Sequence, residues 1–104
     1  MSSDHFAMTQ EKTPDGVRFI IQGRIDSVSS VEFAHKLEQA IEDGKINIIL
    51  NMSRVGYLCS TGIRAILKAY KTTKTAGGSL GIETPSDNVK NVIGMVALNE
   101  MLVK

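Results

Sequence analysis

The chain has a single cysteine among 104 residues. That excludes an internal disulfide and a zinc cluster built on cysteines. It also lacks an excess of charge of either sign: 12 basic residues stand against 11 acidic ones, a formal net charge of +1. A nucleic-acid footprint would need a clear basic excess, so no direct nucleic-acid partner is expected. No apolar run approaches the roughly 18 residues that a membrane helix needs, so no membrane insertion is expected either. The opening residues MSSDHFAM carry no basic region followed by an apolar block, and no signal peptide is expected. There are only two histidines, His5 and His35, in separate segments with no motif around either. They give weak ground for a metal site, and neither a metal nor a cofactor is expected. The default expectation is a cytoplasmic protein.

What is present is ordinary for a globular domain: 42% hydrophobic and 22% charged residues, with enough length for one core. A single domain over 1–104 is expected. Its organising stretch runs from Lys45 to Gly78. Ile46, Ile48, Ile49 and Leu50 form a nearly uninterrupted, mostly β-branched run, the pattern of a strand at 45–50 covered on both faces. From Ile63 the period changes. Ile63, Ile66, Leu67 and Tyr70 fall on one helical face, with Arg64, Lys68, Lys71 and Lys74 mainly on the other. The expected helix spans 62–76. Between strand and helix lie Cys59, Ser60, Thr61 and Gly62, where unpaired helix amides should point into solvent. That corner is the best place in the chain for chemistry or a signal.

The rest arranges itself around this unit. Residues 5–23 read as an antiparallel hairpin, turned at Thr13-Pro14-Asp15-Gly16 with Gly16 free to take positive φ, and ended by Gly23. Val17, Phe19 and Ile21 supply its core face, alternating with Arg18, Ile20 and Gln22. A helix over 29–43 is predicted, with Ser29 and Glu32 as a capping box and Val28 and Phe33 as its staple. Phe33, Ala34, Leu37 and Ile41 share its apolar face, His35 lies off it, and Gly44 suits its end. Gly77-Gly78 closes the second helix. Leu80 and Ile82 mark a strand at 79–83, parallel to the central one. Ser86 caps a third helix over 87–97, and 101–103 could form a further short strand. The fold class is α/β: one layered domain, a mixed sheet of about five strands, helices mainly on one face. Ile49→Asp is expected to bury a charge at a cost of several kcal/mol.

Several of these pieces resemble a known family in their order and spacing. Gly23-Arg24-Ile25-Asp26 resembles the Gly-x-Leu/Ile-Asp after the second strand of STAS domains, the anti-sigma factor antagonist family. Asn51-Met52-Ser53 resembles its Asp-Leu-Ser, and Cys59-Ser60-Thr61-Gly62-Ile63 its Asp-Ser-Ser/Ala-Gly-Leu. Gly77-Gly78-Ser79-Leu80 and Pro85-Ser86 with Val89 resemble the family's next two segments. The resemblance implies a STAS-like layered domain and a bacterial regulatory switch. In such a switch a serine kinase that is also an anti-sigma factor phosphorylates the residue at the position of Ser60. The unphosphorylated antagonist binds that kinase, frees a sigma factor, and so regulates transcription. The implied partner surface is Asp26, Asn51, Ser53, Cys59, Thr61, Gly62 and Arg64, gathered at one end of the sheet. This chain departs from the pattern with Cys59 and Asn51 in place of two aspartates, which removes negative charge beside the switch. The family's usual helix after Val103 is also expected to be absent.

The residues at this corner have plainer readings too. Ser60 is a good N-cap whether or not it is modified. Cys59 at a helix start could be a redox-sensitive thiol, or simply a small half-buried residue. A nucleophilic enzyme would need a base and an orienting group, and the sequence marks neither, so no enzyme activity is expected. Gly77-Gly78 follows a helix rather than preceding one, so it is no phosphate cradle. The lysines of the second helix read as a solvated face or as a rim for an acidic partner. Two functions remain. One is a module that binds an anti-sigma factor serine kinase, or a related signalling protein, and is switched at Ser60. The other is a non-phosphorylated STAS scaffold or subunit of a signalling or lipid-transport assembly.

Overall fold

The computed structural model of the chain describes residues 5–95. Their elements run β1 (Ala7–Lys12), β2 (Val17–Ile25), α1 (Ser29–Glu42), β3 (Asn47–Leu58), α2 (Ser60–Thr75), β4 (Ser79–Glu83) and α3 (Asp87–Met95). The strands form one mixed sheet in the order β1-β2-β3-β4. β1 and β2 are antiparallel, while β3 runs parallel to both β2 and β4. The hairpin, the three helices and the parallel β3–β4 pair are as the sequence predicts. The suggested strand at 101–103 and the last two residues of the third helix lie outside the described residues.

Alternation along the strands decides where the core sits. Val17, Phe19, Ile21 and Ile25 of β2, Ile48, Leu50 and Met52 of β3, and Leu80 and Ile82 of β4 are buried on one face. Phe33 and Leu37 of α1 and Ile66 and Ala69 of α2 close over them. The expectation of a strand covered on both faces is overturned at Ile49, which is only half-buried. Ile49 pairs with Arg18 and Gly81, and so lies on the open face. Arg18 stretches over that face to Glu83 at 2.9 Å and to Glu11 at 3.0 Å. The buried charge expected of Ile49→Asp belongs instead to Leu50, which is fully enclosed.

Three boundaries also move. β3 does not stop at residue 50 but runs to Leu58, pairing with β2 through register shifts after Ile20 and Gly23. Gly23 therefore does not end β2; it holds a φ of 90° within the strand, where the shift occurs. α2 consequently starts at Ser60, two residues earlier than predicted. Its buried stripe is Gly62, Ile66, Ala69 and Thr73, so the apolar residues Ile63, Leu67 and Tyr70 lie on its half-buried flank. Gly16 is needed for space rather than for positive φ, since a Cβ there would collide with the Asn47 carbonyl. Gly44 and Gly77 do take positive φ and end α1 and α2. In each case two successive amides fold back on the last turn's carbonyls, as a Schellman ending requires.

Candidate functional site

β2 and β3 end side by side, with Ile25 paired to Leu58. The Cys59 amide then donates to the Ile25 carbonyl at 2.9 Å, so the chain leaves both strands at one point. α1 and α2 begin from that point. Gly62 makes the junction close: a Cβ there would press on Leu58 and Ile25 at 2.7 and 2.8 Å. The first turns of the helices meet through the hydroxyls of Ser30 and Thr61, 2.9 Å apart. The sequence reading did not single out Ser30, which is buried. A buried polar residue on an otherwise apolar helix face was the available signal.

The start of α1 is capped by Asp26, not by the predicted Ser29–Glu32 box. The Asp26 carboxylate accepts the amides of Val28 and Ser29 at 3.0 and 2.9 Å, and Ser29 Oγ accepts the Asp26 amide at 2.9 Å. Asp26 and Ser29 therefore satisfy one another reciprocally, one turn earlier than expected. Val28 is 80% exposed and staples nothing. The Ser29 and Val28 backbone amides hold the Asp26 carboxyl below the usual carboxylate range; burial opposes them, and the Ser29 hydroxyl and nearby Arg24 add to the lowering. Arg24 itself stacks 4.2 Å above the half-exposed Tyr57 ring.

The start of α2 differs. Cys59 holds the cap position in an extended conformation, and no side chain makes a capping hydrogen bond there. The reading of Ser60 as N-cap is corrected accordingly: Ser60 is the first residue of the helix itself. The Cys59 sulfur shares a hydrogen bond with Thr61 Oγ1 at 2.9 Å. Burial pushes the thiol pKa up, but the Thr61 hydroxyl, the Gly62 and Thr61 amides and the Ser30 hydroxyl together outweigh it, and the net shift is downward. Thr61 is thus tied into the junction, while Ser60 and Arg64 are exposed and, among the described residues, make no side-chain hydrogen bond. Arg64 stands one turn along the helix from Ser60.

Asn51 and Ser53 belong to a neighbouring cluster rather than to this corner. They lie within β3, and Ser53 is five residues before Leu58, roughly 17 Å at strand spacing. Asn51 Oδ1 accepts from the Ser53 amide, the Ser53 hydroxyl and the Thr84 hydroxyl, at 3.1, 2.9 and 3.1 Å. The amide oxygen thus fixes the point where β4 leaves the sheet. Beyond it, Ser86 donates to the Val55 carbonyl at 2.6 Å and accepts the Val89 amide at 3.2 Å, capping α3 as the sequence predicts. Asp26, Cys59, Ser60, Thr61, Gly62 and Arg64 therefore share one corner, and Asn51 and Ser53 sit beside it along β3.

The STAS domain family profile matches residues 7–104. This chain belongs to the STAS domain family. It is similar to the anti-sigma-B factor antagonist of Bacillus subtilis, with 25% identity over 92 residues, 88% of this chain and 84% of the relative. The fold of the STAS chain is close to that of the anti-sigma factor antagonist SpoIIAA in its unphosphorylated form, with a TM-score of 0.83 and 22% identity, covering 93% of this chain and 86% of the other. SpoIIAA in its phosphorylated form gives a TM-score of 0.77 at 22% identity, over 93% of this chain and 89% of that one. An anti-sigma factor antagonist from Mycobacterium paratuberculosis gives 0.84 at 17% identity, over 97% and 86%.

Proposed function

We propose that this STAS chain is a regulatory module of the anti-sigma factor antagonist type, not an enzyme, that it binds an anti-sigma factor serine kinase, and that it is itself switched by phosphorylation of Ser60. The observation that carries the proposal is the exposed Ser60 at the uncapped start of α2. Two similar proteins add support, since the Bacillus subtilis relative is an anti-sigma-B factor antagonist and the SpoIIAA fold is known in a phosphorylated form. In the proposed step Ser60 Oγ attacks the γ-phosphoryl group of ATP, ADP leaves, and the serine proton passes to a base of the kinase. The product carries about −1.5 to −2 charges at neutral pH. Free amides and the positive end of the α2 dipole would receive them. Arg64, one turn away, is placed to pair with the phosphate, and the docking surface would change charge without a change of fold. The partner surface of this proposal is Asp26, Cys59, Thr61, Gly62 and Arg64, extended along β3 by Asn51 and Ser53.

A second reading rests on Cys59. In the pattern this corner resembles, a carboxylate precedes the serine and can orient its hydroxyl; the thiol here is occupied with Thr61 instead. The STAS chain would then act as a scaffold without phosphorylation. One experiment separates the two: incubation with the cognate kinase and ATP, followed by intact-mass measurement under reducing conditions. Addition of one phosphate that Ser60→Ala abolishes is the expected result, with faster addition in Cys59→Asp because reach and orientation act on the chemical step. Phosphate that persists in Ser60→Ala moves the switch to Thr61. A parent chain that binds the kinase yet takes up no phosphate leaves the scaffold reading.

A further inference from the structure

α1 and α2 carry opposite charges on their solvent faces. α2 has Arg64, Lys68, Lys71 and Lys74, all exposed, and no acidic residue. α1 has Glu32, Glu38 and Glu42 exposed, continued by Asp43, against a half-buried Lys36. At 3.6 residues per turn the four cations spread about the direction opposite to the buried Gly62, Ile66, Ala69 and Thr73. Glu38 and Glu42 do the same opposite Phe33, Leu37 and Ala40. The two helices run side by side in the same direction. Ser30 meets Thr61 at one end, 31 residues apart in sequence, and Glu38 meets Lys68 at 3.5 Å further along, 30 apart. A residue of α1 is therefore level with the α2 residue about 30 positions later. Between them lies a groove of about 270 Å³, lined mainly by Ala34, Leu37, Ile41, Ala65 and Ala69.

We propose that this face binds a second copy of the same chain, α1 of each copy lying over α2 of the other about a two-fold axis parallel to the helices. At matching levels Glu38 faces Lys68 and Glu42 faces Lys71 of the other copy, while Glu32 and Asp43 lie on the flank of α1 turned away from α2, beside Gln10 and Lys45. A two-fold axis across the helices would instead lay α1 on α1 and α2 on α2, with like charges opposed. The apolar groove of each copy falls on the axis, where the small side chains of Ala34, Ala65 and Ala69 permit close approach. A foreign acidic surface would suit α2 but be repelled by the acidic α1 beside it. The same patch serves both copies, as a closed two-fold interface requires. Exposed charge pairs set orientation more than strength, so the dimer is weak and salt-sensitive. The inference does not depend on phosphorylation of Ser60.

Sedimentation velocity on the full chain tests it, over a series from about 10 μM to about 1 mM protein. The parent should shift reversibly from monomer towards dimer at low salt and back in about 1 M salt, where the Debye length is about 3 Å. Two charge-reversal variants, Glu38→Lys with Glu42→Lys and Lys68→Glu with Lys71→Glu, should each lose association at least tenfold while keeping the parent's circular dichroism. Their equimolar mixture should recover it, because acidic and basic helices again oppose one another. If the second variant fails to fold, Lys71→Glu with Lys74→Glu replaces it and leaves the Glu38–Lys68 pair intact. A parent that stays monomeric throughout overturns the proposal and leaves the basic helix to an acidic partner. So do reversal variants that associate like the parent, or a mixture that does not recover.

Discussion

The first turns of α1 and α2 are joined by the Ser30–Thr61 hydrogen bond, yet they are finished in opposite ways. At α1, the Asp26 carboxylate takes two free amides, Ser29 returns a bond to the Asp26 amide, and Glu32 adds negative charge to the first turn. At α2, a half-buried thiol stands in the cap position, and neither a capping side chain nor a first-turn acid is present. Both helices present the same positive dipole end. One is neutralised permanently by its own sequence. The other has no carboxylate, only the Cys59 thiol near the Thr61 and Gly62 amides, and an exposed hydroxyl on its first residue. A helix start that already held a carboxylate would gain less from a phosphate. The uncapped end is the one where added charge has most to meet, which is why Ser60 and not Ser29 is proposed as the switch.

The comparison can be broken or sharpened at several points, in decreasing order of effect. Leu50→Asp removes the floor beneath both ends by placing an unpaired carboxylate in the core. It should cost on the order of 4 kcal/mol or more, whereas Ile49→Asp on the open face should cost about 1 kcal/mol. Urea unfolding of the two variants measures the gap, and equal costs would contradict a one-sided core. Gly62→Val should destabilise by about 1–3 kcal/mol, because the new side chain drives into Leu58 and Ile25 where α2 begins. Ser29→Ala should cost about 1 kcal/mol through the α1 cap alone. It should leave the Ser60 region unchanged in amide hydrogen exchange.

Asp26→Asn separates the two ends by pH. The folded-state pKa of Asp26 is lowered, so its carboxylate stabilises the fold above the unfolded value of 3.8 and loses that effect as pH falls through the lower folded value. Parent and variant should differ in thermal midpoint at neutral pH and converge only as pH falls below 3.8 and through the lowered folded value. A difference that persists unchanged in acid would mean that shape, not charge, does the capping. The smallest effect is expected from Cys59→Asp, which gives α2 the carboxylate that α1 already has. Stability at neutral pH should rise by about 0.5 kcal/mol, and a loss would show that the uncapped start is not short of negative charge.

Local patterns in the chain were enough for the hairpin, the three helices, the parallel pair at β3 and β4, the closing glycines Gly44 and Gly77, and Ser86 as the cap of α3. Each depends on residues within a few positions of one another, where side-chain period and turn chemistry act directly. The position of the corner at Cys59 to Gly62 was legible for the same reason. Other features needed the assembled sheet. Asp26-x-x-Ser29 and Ser29-x-x-Glu32 are overlapping boxes in the sequence. The first prevails because pairing with Leu58 pins Ile25 at the end of β2 and so sets Asp26 against the first turn of α1, which begins at Ser29 as predicted. An unbroken run of isoleucine and leucine cannot reveal that Ile49 faces away from the core, since both faces of the strand look apolar until the helices settle on one. Ser30 with Thr61 and Asn51 with Thr84 meet across 31 and 33 residues. The sequence by itself determined which elements form and where a switch could stand. The tertiary structure decided which helix end is left uncapped and which hydroxyl is left free, because those depend on contacts between strands and helices that no local pattern encodes.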